Sequence, residues 1–176
     1  MAQLGVVLAL CYPALVFFGS RYLHPAWLAL ALLPLALLRG RGQPGRWLLL
    51  AAVLTLSAAA VALQSHVPLK LYPVVMNLFF LVLFAGSLSA PQTAVERLAR
   101  LRDPDLPPRA VAYTRRVTQA WSVFFLCNGA IALATVLSGS DAAWFWYNGA
   151  IAYALIGAMF VVEWLCRRRV MRAAHD

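Results

Sequence analysis

Apolar positions in this chain do not alternate with polar ones. They run in six long blocks, Leu4–Ser20, Leu23–Leu38, Trp47–Leu63, Leu71–Ser89, Val117–Ser138 and Ala143–Cys166. A helix needs about 20 apolar residues to cross roughly 30 Å of hydrocarbon, and the last three blocks meet that length. Trp47–Leu63 is close to the lower limit. Leu23–Leu38 carries Pro34 and begins near Pro25, so it is expected to tilt, kink or form a shallow hairpin with Leu4–Ser20. The predicted fold is all-α, a polytopic membrane protein of six transmembrane helices forming a single integral membrane domain over residues 1–176.

The longest polar interruption is the segment 90–116. Within it, Gln92–Arg102 has the spacing of a short amphipathic helix. Ala94, Val95, Leu98 and Leu101 share one side, and Glu96, Arg97, Arg100 and Arg102 share the other. Glu96 and Arg100 are four residues apart, which predicts an ion pair. Such a helix would lie in the headgroup plane with its arginines toward phosphates. The run Asp103-Pro104-Asp105-Leu106-Pro107-Pro108 is expected to end it.

Composition and charge add the orientation. Hydrophobic residues make up 63% of the 176 and charged residues 12%, against about 45–50% and 25% in a soluble domain. A small soluble enzyme or DNA-binding domain is therefore excluded. Fourteen of the 15 basic residues are Arg, and the net charge is +9. Three Arg fall in 39–46, six in 89–116 and four after Cys166, whereas the opposite loops hold only Arg21 and Lys70. By the positive-inside rule, both termini and the two basic loops are expected in the cytoplasm. The positive charge is explained by anionic lipid headgroups, and nucleic acid is not an expected partner. Met1–Val6 lacks the basic start of a cleaved signal, so Leu4–Ser20 is expected to remain as a helix.

Polar groups inside the bilayer are costly and mark candidate sites. Asn77, Asn128 and Asn148 fall roughly 10, 15 and 8 Å from the outer surface, counted at 1.5 Å per residue. They are the expected ligand-binding residues if they share an outward pocket, with Tyr72 and Tyr147, and with Lys70 and Asp141 near its mouth. The alternative is that each amide ties helices together. Arg97, Arg100, Arg115 and Arg116 are the candidates for contact with lipid headgroups or a partner protein. Glu163, with Arg167 four residues on, is expected to form an ion pair at the cytoplasmic end of the last helix. Trp144, Trp146 and Tyr147 at the outer side, and Trp47, Trp121 and Trp164 at the inner, are expected as interfacial belts. Asn128-Gly129-Ala130-Ile131-Ala132 recurs as Asn148-Gly149-Ala150-Ile151-Ala152, and Ala150, Ala154 and Ala158 form a small-residue ladder suited to close packing.

Motifs for catalysis are lacking. His24, His66 and Asp141 are isolated loop residues, and no Cys/His cluster has zinc spacing. No catalytic residue, metal or cofactor is expected. The partners expected are membrane lipids, a membrane or cytoplasmic protein, and a second copy of the chain. The function expected is that of a non-catalytic accessory protein, the alternative being a small carrier for a lipid or hydrophobic metabolite.

Arg115-Arg116-Val117-Thr118-Gln119-Ala120-Trp121-Ser122-Val123-Phe124-Phe125-Leu126-Cys127-Asn128-Gly129 resembles a late-span segment of the bacterial septation protein A family. Lys70-Leu71-Tyr72-Pro73 and Phe84-Ala85-Gly86-Ser87-Leu88 are similar to the helix that precedes it there. The whole chain resembles a family of uncharacterised bacterial membrane proteins often encoded beside fatty-acid-synthase-like genes for aryl polyene pigments. These resemblances imply an inner-membrane protein with a role in the cell envelope, or in making or exporting a lipid-like product. They carry over no catalytic residue.

Overall fold

A computed structural model describes residues 12–24, 27–28 and 46–172, and these are helix and turn with no strand among them. The helices are α1 (Arg46–Ala62), α2 (Val67–Lys70), α3 (Tyr72–Ser87), α4 (Ala94–Arg100), α5 (Pro108–Leu137), α6 (Asp141–Trp146), a π-helical turn (Tyr147–Ile151) and α7 (Ala152–Arg172). Residues 12–19 are also helical. Among the described residues, three stretches are long and apolar enough to cross a membrane: Val67–Ser87, Pro108–Leu137 and Asp141–Arg169. The chain is a membrane protein. α1 has only 17 residues. The first part of Leu4–Ser20 and most of Leu23–Leu38 lie outside the described residues.

Three boundaries depart from the apolar pattern, each for a physical reason. The helix expected over Val117–Ser138 begins at Pro108. Proline at a first helical position lacks only an N–H that would be unbonded anyway, so the residue expected to end one helix starts another. Hydropathy marks the part of a helix that lies in hydrocarbon, and α5 extends beyond it through Arg109–Arg116. Helix begins ahead of the fourth block, at Val67 with Pro68 in its first turn, and Leu71 separates this α2 from α3. The sixth begins at Asp141, where the Ser140 side chain accepts from the Ala143 N–H, and it widens into the π-turn before resuming as α7.

The described chain divides into two compact units. The first comprises residues up to Met76 and Gly129–Ile151; its core is Tyr12, Val16, Leu28, Val53, Ala60, Leu69, Tyr72 and Trp144. Gly139 ends α5 with φ +68°, a conformation that costs a side-chain-bearing residue energy. The second unit comprises Asn77–Asn128 and the chain from Ala152. Its apolar packing is aromatic. Trp121 lies 4.9 Å from Phe160 and 5.5 Å from Phe125, and Phe125 stacks on Phe80 at 5.2 Å.

Two aromatic expectations are corrected by this packing. Trp121 is buried among phenylalanines rather than turned outward. Trp144 is fully buried and its indole N–H donates to the Lys70 carbonyl at 3.0 Å. Trp47 and Trp146 are exposed, and Trp164 packs under the Arg168 guanidinium at 3.7 Å.

Candidate functional site

In the first unit, polar groups gather around the α2–α3 junction. Pro73 has no N–H to give the Leu69 carbonyl, four residues earlier. That carbonyl accepts from the Tyr12 hydroxyl at 2.6 Å instead. The Lys70 carbonyl takes the Trp144 indole, and the Lys70 ammonium pairs with Asp141. Asp141 also opens α6, where a negative charge suits the helix dipole. Tyr72 packs on Tyr12 with ring centres 4.8 Å apart, and both rings are buried.

Gln64 closes the turn after α1 with φ 47°. Its amide N–H donates to the Val61 carbonyl at 2.8 Å, and its amide oxygen meets the His24 Nε2 at 2.6 Å. His66 lies nearby with its Nδ1 buried and without a hydrogen-bond partner among the described residues. Burial lowers its pKa from 6.5, and the Lys70 and His24 charges add to this while Asp141 opposes it. No group of three or more His, Cys, Asp or Glu among the described residues is placed to hold a metal.

The π-turn positions two of the expected site residues, Tyr147 and Asn148, both buried. Asn148 Nδ2 donates to the Trp144 carbonyl at 3.0 Å and to Thr135 Oγ1 at 3.2 Å. The asparagine thus serves the widened turn and ties it to α5 within the same unit. The first copy of the Asn-Gly-Ala-Ile repeat, by contrast, is regular α-helix.

In the second unit the structure brings Asn77 and Asn128 together. Asn128 Nδ2 donates to Asn77 Oδ1 at 2.9 Å, and both residues are buried. Below them on α5, Thr114, Thr118 and Ser122 form a buried hydroxyl stripe. Each donates to a carbonyl of the preceding turn, Val111, Thr114 and Thr118 respectively.

α4 is fixed to this stripe. Thr93 caps it, accepting from the Glu96 N–H, while the Glu96 carboxylate accepts from the Thr93 N–H. The Ala94 N–H donates to Ser87 Oγ at 2.8 Å and the Val95 N–H to Thr118 Oγ1 at 3.4 Å. The expected Glu96–Arg100 pair is present at 2.9 Å. Glu96 does not face away with the arginines, however; it is 4% exposed, because its carboxylate is needed at the cap. Leu98 and Leu101 are turned outward, 72% and 85% exposed.

The four candidate arginines divide in two. Arg100 is held by Glu96 and by the Pro104 carbonyl at 2.7 Å. Arg97, Arg115 and Arg116 are exposed, Arg97 touching only the Gln92 carbonyl among the described residues. Glu163 and Arg167 are not among the described ion pairs, which are Lys70–Asp141 and Glu96–Arg100. The Glu163 carbonyl accepts from the Tyr113 hydroxyl at 3.0 Å, joining α7 to the polar start of α5.

Sequence reasoning missed Thr93, Thr118, Tyr12 and Gln64. Thr93 was findable, since Thr93-x-x-Glu96 has the capping-box spacing. Tyr12 and Thr118 act across distant parts of the chain and carry no local signal. Comparison of the chain with family models, curated proteins and solved structures gives no match.

Proposed function

We propose that this is a six-span inner-membrane accessory protein with both termini cytoplasmic. It acts without catalysis, holding lipid or a partner protein at its cytoplasmic face during envelope assembly or the making or export of a lipid-like product. The observation that carries this reading is α4, capped, docked on α3 and α5, and presenting two leucines and basic side chains outward. The distribution of Arg between loops supports the even span count and the side on which α4 lies. The buried amides support an accessory role over a carrier, because Asn128 engages Asn77 and Asn148 engages Thr135 and Trp144.

Native mass spectrometry of the gently solubilised protein tests this. A subunit or lipid class should be retained by the natural chain and lost from a variant with Arg97, Arg115 and Arg116 all changed to Gln. Unchanged retention in that variant would refute the role given to this face.

A further inference from the structure

The exposed side of α4 calls for a partner, and its depth indicates which. The helix is tethered at Ser87, the last residue of α3, and at Thr118 on α5. About 29 Å of helix separates Thr118 from Leu137, and about 30 Å separates Val67 from Ser87. Both lengths match the roughly 30 Å of a hydrocarbon layer. Two separate helices therefore bring α4 to the level where acyl chains give way to headgroups. At that level an exposed Leu98 and Leu101 meet lipid rather than water.

The exposed charges of this segment are mainly positive. Arg97, Arg102, Arg109, Arg115 and Arg116 are exposed and belong to no described ion pair. Glu96 is buried and neutralised by Arg100, which leaves Asp103 and Asp105 as the exposed acids of this segment. Leucines beside a net basic surface suit anionic phospholipid, with the acyl boundary taking the leucines and phosphates the guanidinium groups.

We infer that α4 is a ledge seated in the cytoplasmic headgroup layer, with Leu98 and Leu101 in the acyl boundary and Arg97, Arg102, Arg115 and Arg116 on anionic lipid phosphates. The inference deepens the function proposed above and rests on its topology.

The test uses full-length protein with Cys11, Cys127 and Cys166 replaced by Ala. Leu98→Cys or Leu101→Cys carries an environment-sensitive fluorophore, and the protein is reconstituted in phosphatidylcholine vesicles with or without phosphatidylglycerol. Lipids spin-labelled near the headgroup should quench both probes, and aqueous iodide should not. Phosphatidylglycerol should increase the lipid quenching, and changing Arg97, Arg102, Arg115 and Arg116 to Gln should abolish the increase.

A probe quenched by iodide and untouched by the labelled lipid would overturn the ledge and leave the surface to a protein partner. Lipid quenching indifferent to phosphatidylglycerol would overturn the anionic assignment. A probe at the exposed, mid-helix Leu126 reports insertion and should be quenched in every case by lipid spin-labelled deep in the acyl chain. The topology is checked separately, with Cys166 as the single cysteine in spheroplasts. Its labelling from outside by an impermeant maleimide would refute the topology whatever α4 does.

Discussion

Tyr12→Phe removes one oxygen atom and should destabilise the protein out of proportion to its size. The ring stays against Tyr72, so aromatic packing is kept. The loss is a 2.6 Å hydrogen bond to the carbonyl of Leu69, a fully buried residue. That carbonyl cannot turn to its usual helical donor, because position 73 is proline. An exchangeable hydrogen bond contributes about 0.5–1.5 kcal/mol, but a buried acceptor left without a donor costs about 1–3 kcal/mol. The Leu71 N–H also approaches this oxygen but makes its well-formed bond to the Pro68 carbonyl at 3.2 Å, so the larger range applies here.

The cause can be isolated. Pro73→Ala restores an N–H at the position from which a helix would satisfy Leu69. In the Pro73→Ala background, Tyr12→Phe should therefore cost under about 1 kcal/mol, the ordinary exchange value. Equilibrium unfolding of the four proteins in mixed micelles measures both steps. A Tyr12→Phe effect below about 0.5 kcal/mol, or an equal effect in both backgrounds, would refute the argument that proline created the need for the phenol.

The Asn77–Asn128 pair should show a coupling energy of about 0.6–1.7 kcal/mol in a double-mutant cycle of Leu substitutions, read by steric trapping in bicelles. Thr93→Ala should cost about 1 kcal/mol and speed amide exchange across Ala94–Arg100. Unchanged exchange there would count against the cap. His66 has a lowered folded-state pKa, so the unfolded chain binds its proton more readily. Its contribution is full above pH 6.5 and is lost as pH falls through the folded pKa, and His66→Gln should flatten the unfolding profile across that window.

The apolar runs were sufficient to reveal the helices of the chain's second half, because a bilayer demands contiguous apolar text and little else. The same text is silent about helix outside hydrocarbon, which is why Arg109–Arg116 read as loop. Glu96 and Arg100 were legible as a pair from their spacing. The burial of Glu96 was not, since a helical wheel assigns faces by polarity and ignores the demands of a cap. Trp121 and Trp144 have the residue type of an interfacial belt, but position along a block does not tell which way a side chain turns. Of the candidate ligand-binding residues, Asn77 and Asn128 bond to one another, the interhelical use of such amides named as the alternative. The use of Asn148 within its own turn depends on the π geometry, for which sequence has no marker.

The wide turn at Tyr147–Ile151 has a consequence for phase. Each residue advances an α-helix by about 100°, and a π-turn uses more residues to complete one circle. A single wheel drawn through Asp141–Arg172 therefore assigns the wrong azimuth to one end. Ala150 lies inside the turn, whereas Ala154 and Ala158 lie beyond it, so their even spacing in sequence is not an even column in space. A substitution scan along these residues should return two stripes of sensitivity offset at the turn. One unbroken stripe would mean that the backbone there is regular helix.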